Sequence, residues 1–439
     1  PPGRGAVAVI RVSGPQAFDG LEALTGRAHW PARQAHLTLL RDPVSRETID
    51  TGLILPFHAP NSFTGEAVVE YHLHGGRAVV DAVFDVLSHQ DGYRCAEPGE
   101  FTRRAFENGK LDLTEAEAVA DLVNAETALQ RAQALDQLGG RLSALYSDWA
   151  ERLKHNSAWL EAHLDFPDED LPGDLLGKVM PQIAVLQKEI ADHLADNRRG
   201  ERLREGVQIA IIGAPNAGKS ALINALAQRD VAIVTEHAGT TRDVLEVHLD
   251  IAGYPVTVAD TAGLRPDQVE QDAQGAIEAE GIRRALQRAQ DADLKLLVFD
   301  GADLPAIDHH SLELIDEQAI IIMNKQDVMQ GAVPEELSRH APLIVSATDG
   351  AGLGELIDAM GKHIAELIGQ RETPSLTRAR HREALQECLS ALEQAQARGE
   401  MELVAEDLRM AQRYLGRITG KVDVEDMLDV IFRDFCIGK

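Results

Sequence analysis

The sequence predicts an α/β multidomain protein: an N-terminal α+β domain, a helical domain, and an α/β domain inserted in the helical one. Three textures carry this. Strand-like apolar runs punctuated by Gly and Pro fill the chain from Pro1 to about Glu107. From Leu113 to Arg204, Ala, Leu, Glu and Gln dominate, with apolar residues at three- and four-residue steps. From Val207 to about Ile368, short apolar strands alternate with helices, and after Pro374 the helical texture returns. The expected boundaries are 1–108, then 109–205 with 369–439, and 206–368 for the insertion. At 439 residues the chain suits about three domains.

The elements follow in order. Ala6–Val12 reads as a strand ending at Ser13-Gly14, and Glu66–Leu73 as another ending at Gly75-Gly76, with a helix over Ala78–Ser88. Ala116, Ala120, Leu122 and Val123 set the helical stripe of the second block. It is interrupted by the acidic run Asp165–Asp170, expected to be a solvated interhelical turn. Strands are expected at Val207–Ile212, Val244–Ile251, Val256–Ala259, Leu294–Phe299, Ile320–Met323 and Leu343–Val345. Helices return at Arg380–Arg398 and Val424–Asp434.

Composition excludes several classes. Apolar residues make up 44% and charged residues 26%, an ordinary globular mix. Only 4% are aromatic, so the cores must be aliphatic. The net charge of −28 argues against tight nonspecific nucleic-acid binding, leaving room for RNA held by a local patch or by a partner. Cys95, Cys388 and Cys436 are odd in number and far apart, which fits a reducing cytoplasm rather than a disulfide scaffold. Neither a membrane span nor a signal peptide is evident, so a cytoplasmic location is expected. The start at Pro1 rather than Met suggests that a few residues are missing.

One loop gives the chemistry. Gly213-Ala214-Pro215-Asn216-Ala217-Gly218-Lys219-Ser220 fits G-x-x-x-x-G-K-[ST] between an expected strand and the helix beginning at Ala221. Small residues let backbone N–H groups wrap phosphates, and the helix N-terminus favours negative charge. Lys219 would meet the β- and γ-phosphates and the Ser220 hydroxyl would ligate Mg²⁺. Asp260-Thr261-Ala262-Gly263 follows a strand, where the aspartate can hold the Mg²⁺ shell and the glycine N–H can meet the γ-phosphate. In Asn324-Lys325-Gln326-Asp327, the last carboxylate can accept both N–H groups of guanine, an edge that adenine does not present. Ser346-Ala347-Thr348 would support the base through backbone groups. Four elements in order, each after a strand, define a GTP site in a Ras-like domain. Between the first two lies Thr235-Glu236-His237-Ala238-Gly239-Thr240-Thr241, a loop that a γ-phosphate can order. After Gly263 comes Leu264 instead of the water-orienting glutamine of the Ras pattern, so hydrolysis must use another group.

The chain as a whole resembles the MnmE (TrmE) family of tRNA-modification GTPases. Outside the GTP site the resemblance rests on Pro1–Gly5 leading to Ile10–Gly14, on Pro60–Glu66, on Pro98–Leu113, and on the ending Phe435-Cys436-Ile437-Gly438-Lys439. It implies a tetrahydrofolate-binding N-terminal domain, a helical domain and an inserted G domain, working as a homodimer. The implied partner is the flavoprotein MnmG, in a heterotetramer that modifies the 5-position of wobble uridine in certain tRNAs. A 5-formyl- or methylene-tetrahydrofolate is the implied cofactor. Matching positions place Arg11, Glu70, Lys110 and Lys439 on the folate.

The same resemblance implies potassium-activated G domains that pair across the nucleotide. Asn216 matches the K⁺-coordinating asparagine, and Thr235, His237 and Thr240 match the loop that closes the ion site. His237 departs from the usual apolar residue there, and Thr241 becomes the second Mg²⁺ ligand. A monovalent cation beside the phosphates would replace an arginine finger. The water-polarising glutamate is expected at Glu278, with Glu270 the alternative, and Cys436 is expected near the folate and tRNA chemistry. His72-x-His74 suggests a metal pair, but no accompanying cluster supports it. The rival reading is a ribosome-assembly GTPase switch, which would call for a basic KH-type RNA module in place of the acidic helices here. A membrane-remodelling GTPase would need an amphipathic basic or apolar segment, and none is evident.

Overall fold

The computed structural model describes residues 5–165, 175–229, 231–233, 246–260, 292–369, 374–422, 425–433, 435 and 438. The acidic run expected as a turn at Asp165–Asp170 lies almost wholly outside these residues. The chain first forms β1 (Val7–Ser13), α1 (Ala17–Thr25), β2 (His36–Arg41), β3 (Thr48–Phe57), β4 (Val68–His74), α2 (Arg77–Ser88) and α3 (Glu100–Glu107). Helices α4 (Leu113–Asn124), α5 (Ala128–Leu138), α6 (Arg141–Asp165), α7 (Leu175–Leu194) and α8 (Arg199–Glu205) come next. The α/β part has β5 (Val207–Ile212), α9 (Lys219–Ala227), β6 (Glu246–Ile251), β7 (Tyr254–Asp260) and β8 (Leu294–Asp300). It continues with α10 (His309–Leu312), β9 (Ala319–Asn324), α11 (Glu335–Ser338), β10 (Leu343–Ile344) and α12 (Leu353–Ile368). Helices α13 (Ala379–Ala397), α14 (Met401–Thr419) and α15 (Glu425–Arg433) close the chain. The class is the expected one, a mixture of an α+β part, helices and an α/β sheet.

Two compact units form. One comprises Pro1–Val123, Gln137–Met180 and Ala391–Lys439, and the other Asn124–Asp136 and Pro181–Ser390.

The first unit holds an antiparallel sheet in the order β1-β4-β3-β2. Its alternation sorts the two faces. Ile10, Leu40, Ile54, Val69, Tyr71 and Leu73 point to one side and are buried against Leu21 and Leu24 of α1 and Val83, Val86 and Leu87 of α2. The opposite face carries Val9, Leu37 and Leu53, all exposed, and beside them Arg11, Glu70 and His72. Neither β2 nor β3 was expected from the sequence. In the same unit α14 was also unexpected, although Val404, Leu408, Ala411, Leu415 and Ile418 recur at helical steps and are buried.

The second unit holds a six-stranded sheet in the order β10-β9-β8-β5-β7-β6, parallel except for β6. The inner strands β5, β8 and β9 are nearly continuous apolar runs because both faces are covered, whereas the edge strand β6 alternates polar and apolar residues. Val207, Ile209, Ile211, Leu296 and Val298 pack with Leu222 and Ile223 of α9 and Leu356, Met360 and Ile364 of α12. Ala210, Ile212, Leu297, Phe299 and Met323 form the core of the other face. This sandwich fixes the C-terminal ends of β5, β8, β9 and β10 as neighbours, which is where ligands bind in such sheets.

Candidate nucleotide and folate sites

The loop from Gly213 to Gly218 follows β5 and delivers Lys219 to the first position of α9. Asn216 and Gly218 both have left-handed backbones, with φ of 67° and 90°. Such residues bend a chain so that successive N–H groups can face an anion. A Cβ at Gly213 would stand 2.2 Å from the Val298 carbonyl oxygen of β8, so only glycine lets the loop leave the sheet here. Lys219 is buried, and its Nζ donates to the carbonyls of Gly213 (2.8 Å) and Ala214 (2.9 Å), which draws the ammonium across the loop. Ser220, Ala221 and Asn216 are exposed at the mouth, while Ala217 is fully buried beneath it.

Asn324, at the end of β9, locks this loop to the base-side loop. It is 1% exposed, its Nδ2 donates to the Ala217 carbonyl (2.9 Å), and its Oδ1 accepts from the Ala347 N–H (3.2 Å). Gly218 exists for the same contact, since a Cβ there would stand 2.2 Å from Asn324 Nδ2. The Asp327 carboxylate is exposed, and its Oδ1 accepts from the buried Ser346 hydroxyl (2.8 Å), which leaves the other oxygen free to receive a base. The Gln326 N–H donates to Val345 and the Gly350 N–H to Ser346, fixing the loop that contains Ala347 and Thr348. Lys325, with φ of 64°, donates from Nζ to Asp300 Oδ2 at 2.6 Å. Asp300 was missed in the sequence. The signal was there: an apolar strand ending in Asp-Gly, with the Gly301 N–H donating to the Asn324 carbonyl (2.8 Å).

The structure thus brings together Asn216 through Ala221, Asn324, Lys325, Asp327, Ser346, Ala347 and Thr348. Asp260 ends β7 beside Ile211 of β5, placing its backbone at the same edge. Its side chain, all of Thr235 through Thr241, Thr261, Ala262, Gly263, Leu264, Glu270 and Glu278 lie outside the described residues.

In the first unit, Arg11 and Glu70 are directly opposed on β1 and β4. The Arg11 Nε donates to Glu70 Oε1 (2.9 Å), a second guanidinium nitrogen lies 2.9 Å from the same oxygen, and the guanidinium stands 5.5 Å from the Phe101 ring centroid. The Arg11 Nη1 also donates to the Gly438 carbonyl (3.4 Å), so Gly438 stands beside these residues. His72 Nε2 lies 3.5 Å from Glu70 Oε2. Lys110 is exposed, and its stem passes Gly65. Cys436 and Lys439 lie outside the described residues. His74 is paired with Asp50 (2.7 Å) rather than with His72, and among the described residues no group of three or more His, Cys, Asp or Glu is placed to hold a metal. Cys388 is buried, and burial pushes its thiol up to about 12, which makes it inert.

A parallel sheet with a phosphate loop after its central strand and an Asn-Lys-x-Asp loop two strands away defines the second unit's sheet as a G domain. The whole-chain comparisons agree. A family model for the N-terminus of the GTP-binding protein TrmE matches residues 1–110, and one for the MnmE helical domain matches residues 113–436. The chain is 53% identical to a tRNA modification GTPase MnmE of Parvibaculum lavamentivorans, over 100% of this chain and 98% of that one. It is 51% identical to one of Paramagnetospirillum magneticum, over 100% and 97%. A solved G domain of the T. maritima FeoB iron transporter matches 37% of this chain and 99% of its own at 26% identity, with a TM-score of 0.26. The chain belongs to the MnmE family of tRNA-modification GTPases, and it is a GTP-hydrolysing enzyme of tRNA modification.

Proposed function

We propose that this GTPase works as a homodimer with the flavoprotein MnmG, adding a carboxymethylaminomethyl-type group at the 5-position of wobble uridine in certain tRNAs, in the cytoplasm. The observation that carries the folate part is the Arg11–Glu70 pair on the open sheet face, with the Gly438 carbonyl beside it. A carboxylate suits the amino edge of a pterin, and a guanidinium or ammonium suits the carboxylates of its tail. Arg11, Glu70, Lys110 and Lys439 would hold a tetrahydrofolate, which supplies a one-carbon unit when bound. Arg11 orients Glu70, and the Phe101 ring beneath Arg11 keeps water from one side of the pair. Homodimer formation is supported by the exposed Val7, Val9, Leu37 and Leu53 on the same sheet face, an apolar patch suited to a partner.

At the nucleotide, Ser220 and Thr241 would ligate Mg²⁺, and Asn216 with Thr235, His237 and Thr240 would hold K⁺. The exposed, left-handed Asn216 at the loop's mouth suits this, because its side chain is not spent inside the loop. Glu278, with Glu270 as alternative, would polarise the water, and K⁺ would promote G-domain pairing. The domains we assign are 1–108, 109–205 with 369–439, and 206–368. The deciding experiment is mass spectrometry of wobble uridines from cells lacking the gene. Loss of the 5-substituent is expected, and unchanged modification refutes the reading in favour of a ribosome-assembly switch.

A further inference from the structure

Three segments far apart in the chain meet around one arginine. Arg104 of α3 donates from Nη1 to Glu66 Oε2 (2.9 Å), and from Nε (3.1 Å) and Nη2 (2.6 Å) to Glu100 Oε1. Glu66 Oε2 also accepts from the Ser13 hydroxyl (2.8 Å), two residues from Arg11 on the same face of β1. Glu100 accepts in addition from both Arg94 Nη atoms and from the Glu97 N–H. The 62–66 loop is closed by the Ser62 hydroxyl on the Glu66 carbonyl (2.6 Å) and held by Asn108 Nδ2 on the Thr64 carbonyl (2.8 Å).

At the crown of that loop is Gly65, with φ of 79°. A Cβ there would stand 3.3 Å from Cε and 3.5 Å from Cγ of Lys110, so the lysine stem lies across the bare glycine. The Lys110 N–H is meanwhile fixed to the Ala105 carbonyl (2.8 Å), one residue from Arg104. Arg11, Arg94, Arg103 and Arg104 each pair with a carboxylate. Lys110 makes no ion pair among the described residues. An ammonium seated by its stem and left without a counter-charge is set for an anion from outside.

We propose that Arg104 is a positioning residue of the folate site: through Glu66 it fixes the loop whose Gly65 seats Lys110, so that this ammonium meets the carboxylate tail of the folate. The proposal rests on the folate reading above. Isothermal titration of the full-length protein with 5-formyltetrahydrofolate and with 5-formyltetrahydropteroate, which lacks the glutamate, tests it. The wild type should prefer the glutamate-bearing ligand by about tenfold, the worth of one charge-assisted contact. Arg104→Gln and Lys110→Met should each erase that preference while leaving pteroate binding unchanged, and the double variant should lose no more than either single. Glu66→Gln, which keeps an acceptor in place, should reduce the preference in the same direction, and GTP hydrolysis with thermal melting verifies folding. Equal weakening of both ligands by Arg104→Gln, or additive losses in the double variant, overturns the proposal. If the wild type binds neither ligand, the folate reading itself falls and this proposal falls with it.

Discussion

Asn324→Ala tests whether the GTP site is built as a single rigid piece. The side chain bridges two loops, with Nδ2 on Ala217 O and Oδ1 on Ala347 N, and it is 1% exposed. Its removal leaves a fully buried carbonyl and a half-buried N–H without partners. A stranded buried polar group costs about 1–3 kcal/mol, with the lower figure for the N–H that water can reach, for a total of about 2–4 kcal/mol. If binding must restore the lost order, nucleotide affinity falls by roughly 30- to 1000-fold. Gly218→Ala attacks the same link from the other side, by pushing a methyl into Nδ2, and should give a loss of the same kind. Titration with a fluorescent GDP analogue measures both variants, with thermal melting to separate binding from folding. An Asn324→Ala protein that binds within threefold of wild type would show that the two loops hold their shapes independently.

Other predictions follow from the same geometry. Asp327→Asn, keeping its contact with Ser346 but losing its acceptor pair, should shift preference from GTP to xanthosine triphosphate by on the order of 100-fold, measured by competition; retained GTP preference would remove Asp327 from the base site. GTP hydrolysis should be stimulated by K⁺ and not by Na⁺, and Asn216→Ala should abolish the stimulation; equal rates in both salts would sink the cation assignment. Glu278→Ala should slow hydrolysis by about 100-fold with nucleotide affinity kept, whereas the same result from Glu270→Ala would reverse that choice. The Glu100 carboxyl, raised by burial but brought down to about 2 by Arg94, the Glu97 N–H and Arg104, stabilises the fold above the ordinary carboxylate pKa of 4.5. That contribution is lost as pH falls from 4.5 through about 2. After allowance for solvent around the exposed Arg94, Glu100→Gln should cost about 1–2 kcal/mol at neutral pH and flatten the acid limb of a melting-temperature profile.

How far the sequence could be read depended on which physical term decides each feature. In the α/β sheet, burial on both faces writes strands as apolar runs, so β5 was read to the residue and β8 and β9 nearly so. Strand ends are set instead by hydrogen-bond pairing. β7 therefore begins at Tyr254 and includes Pro255, which face Ile251 and Asp250 of β6, beyond the apolar run Val256–Ala259. β2 and β3 stayed hidden because their outward face carries the exposed Leu37, Leu39, Thr51 and Leu53, while Thr38, Asp50, Gly52 and Pro56 interrupt the apolar run of the inward face. Helix α14 was masked by its charged face, although its apolar stripe is regular. Within the sites, the GTP motifs are contiguous and carry their own spacing, so they were legible. The link from Glu66 to Arg104 was not, because the two come from separate motifs and only the fold pairs them, whereas Glu100 and Arg104 stand four residues apart on one helix.

The ion pairs also bear on how an acidic protein could act on RNA. With a net charge of −28, nonspecific attraction to phosphate works against the chain. Several of its arginines are spent within the protein: Arg11, Arg94, Arg103, Arg104, Arg202, Arg382 and Arg409 each pair with a carboxylate, whereas the exposed Arg33 and Arg229 donate to backbone carbonyls. A guanidinium so committed must give up its partner before it can neutralise a phosphate, and a buried carboxylate such as Asp196 or Glu201 would then be left bare. Arg202 and Arg382 are therefore architectural, while Arg11 and Arg104 belong to the proposed folate site. On the proposed reading, the charge that holds tRNA comes from the partner flavoprotein or from a small local patch, and Lys110, which makes no ion pair among the described residues, serves a small anionic ligand instead.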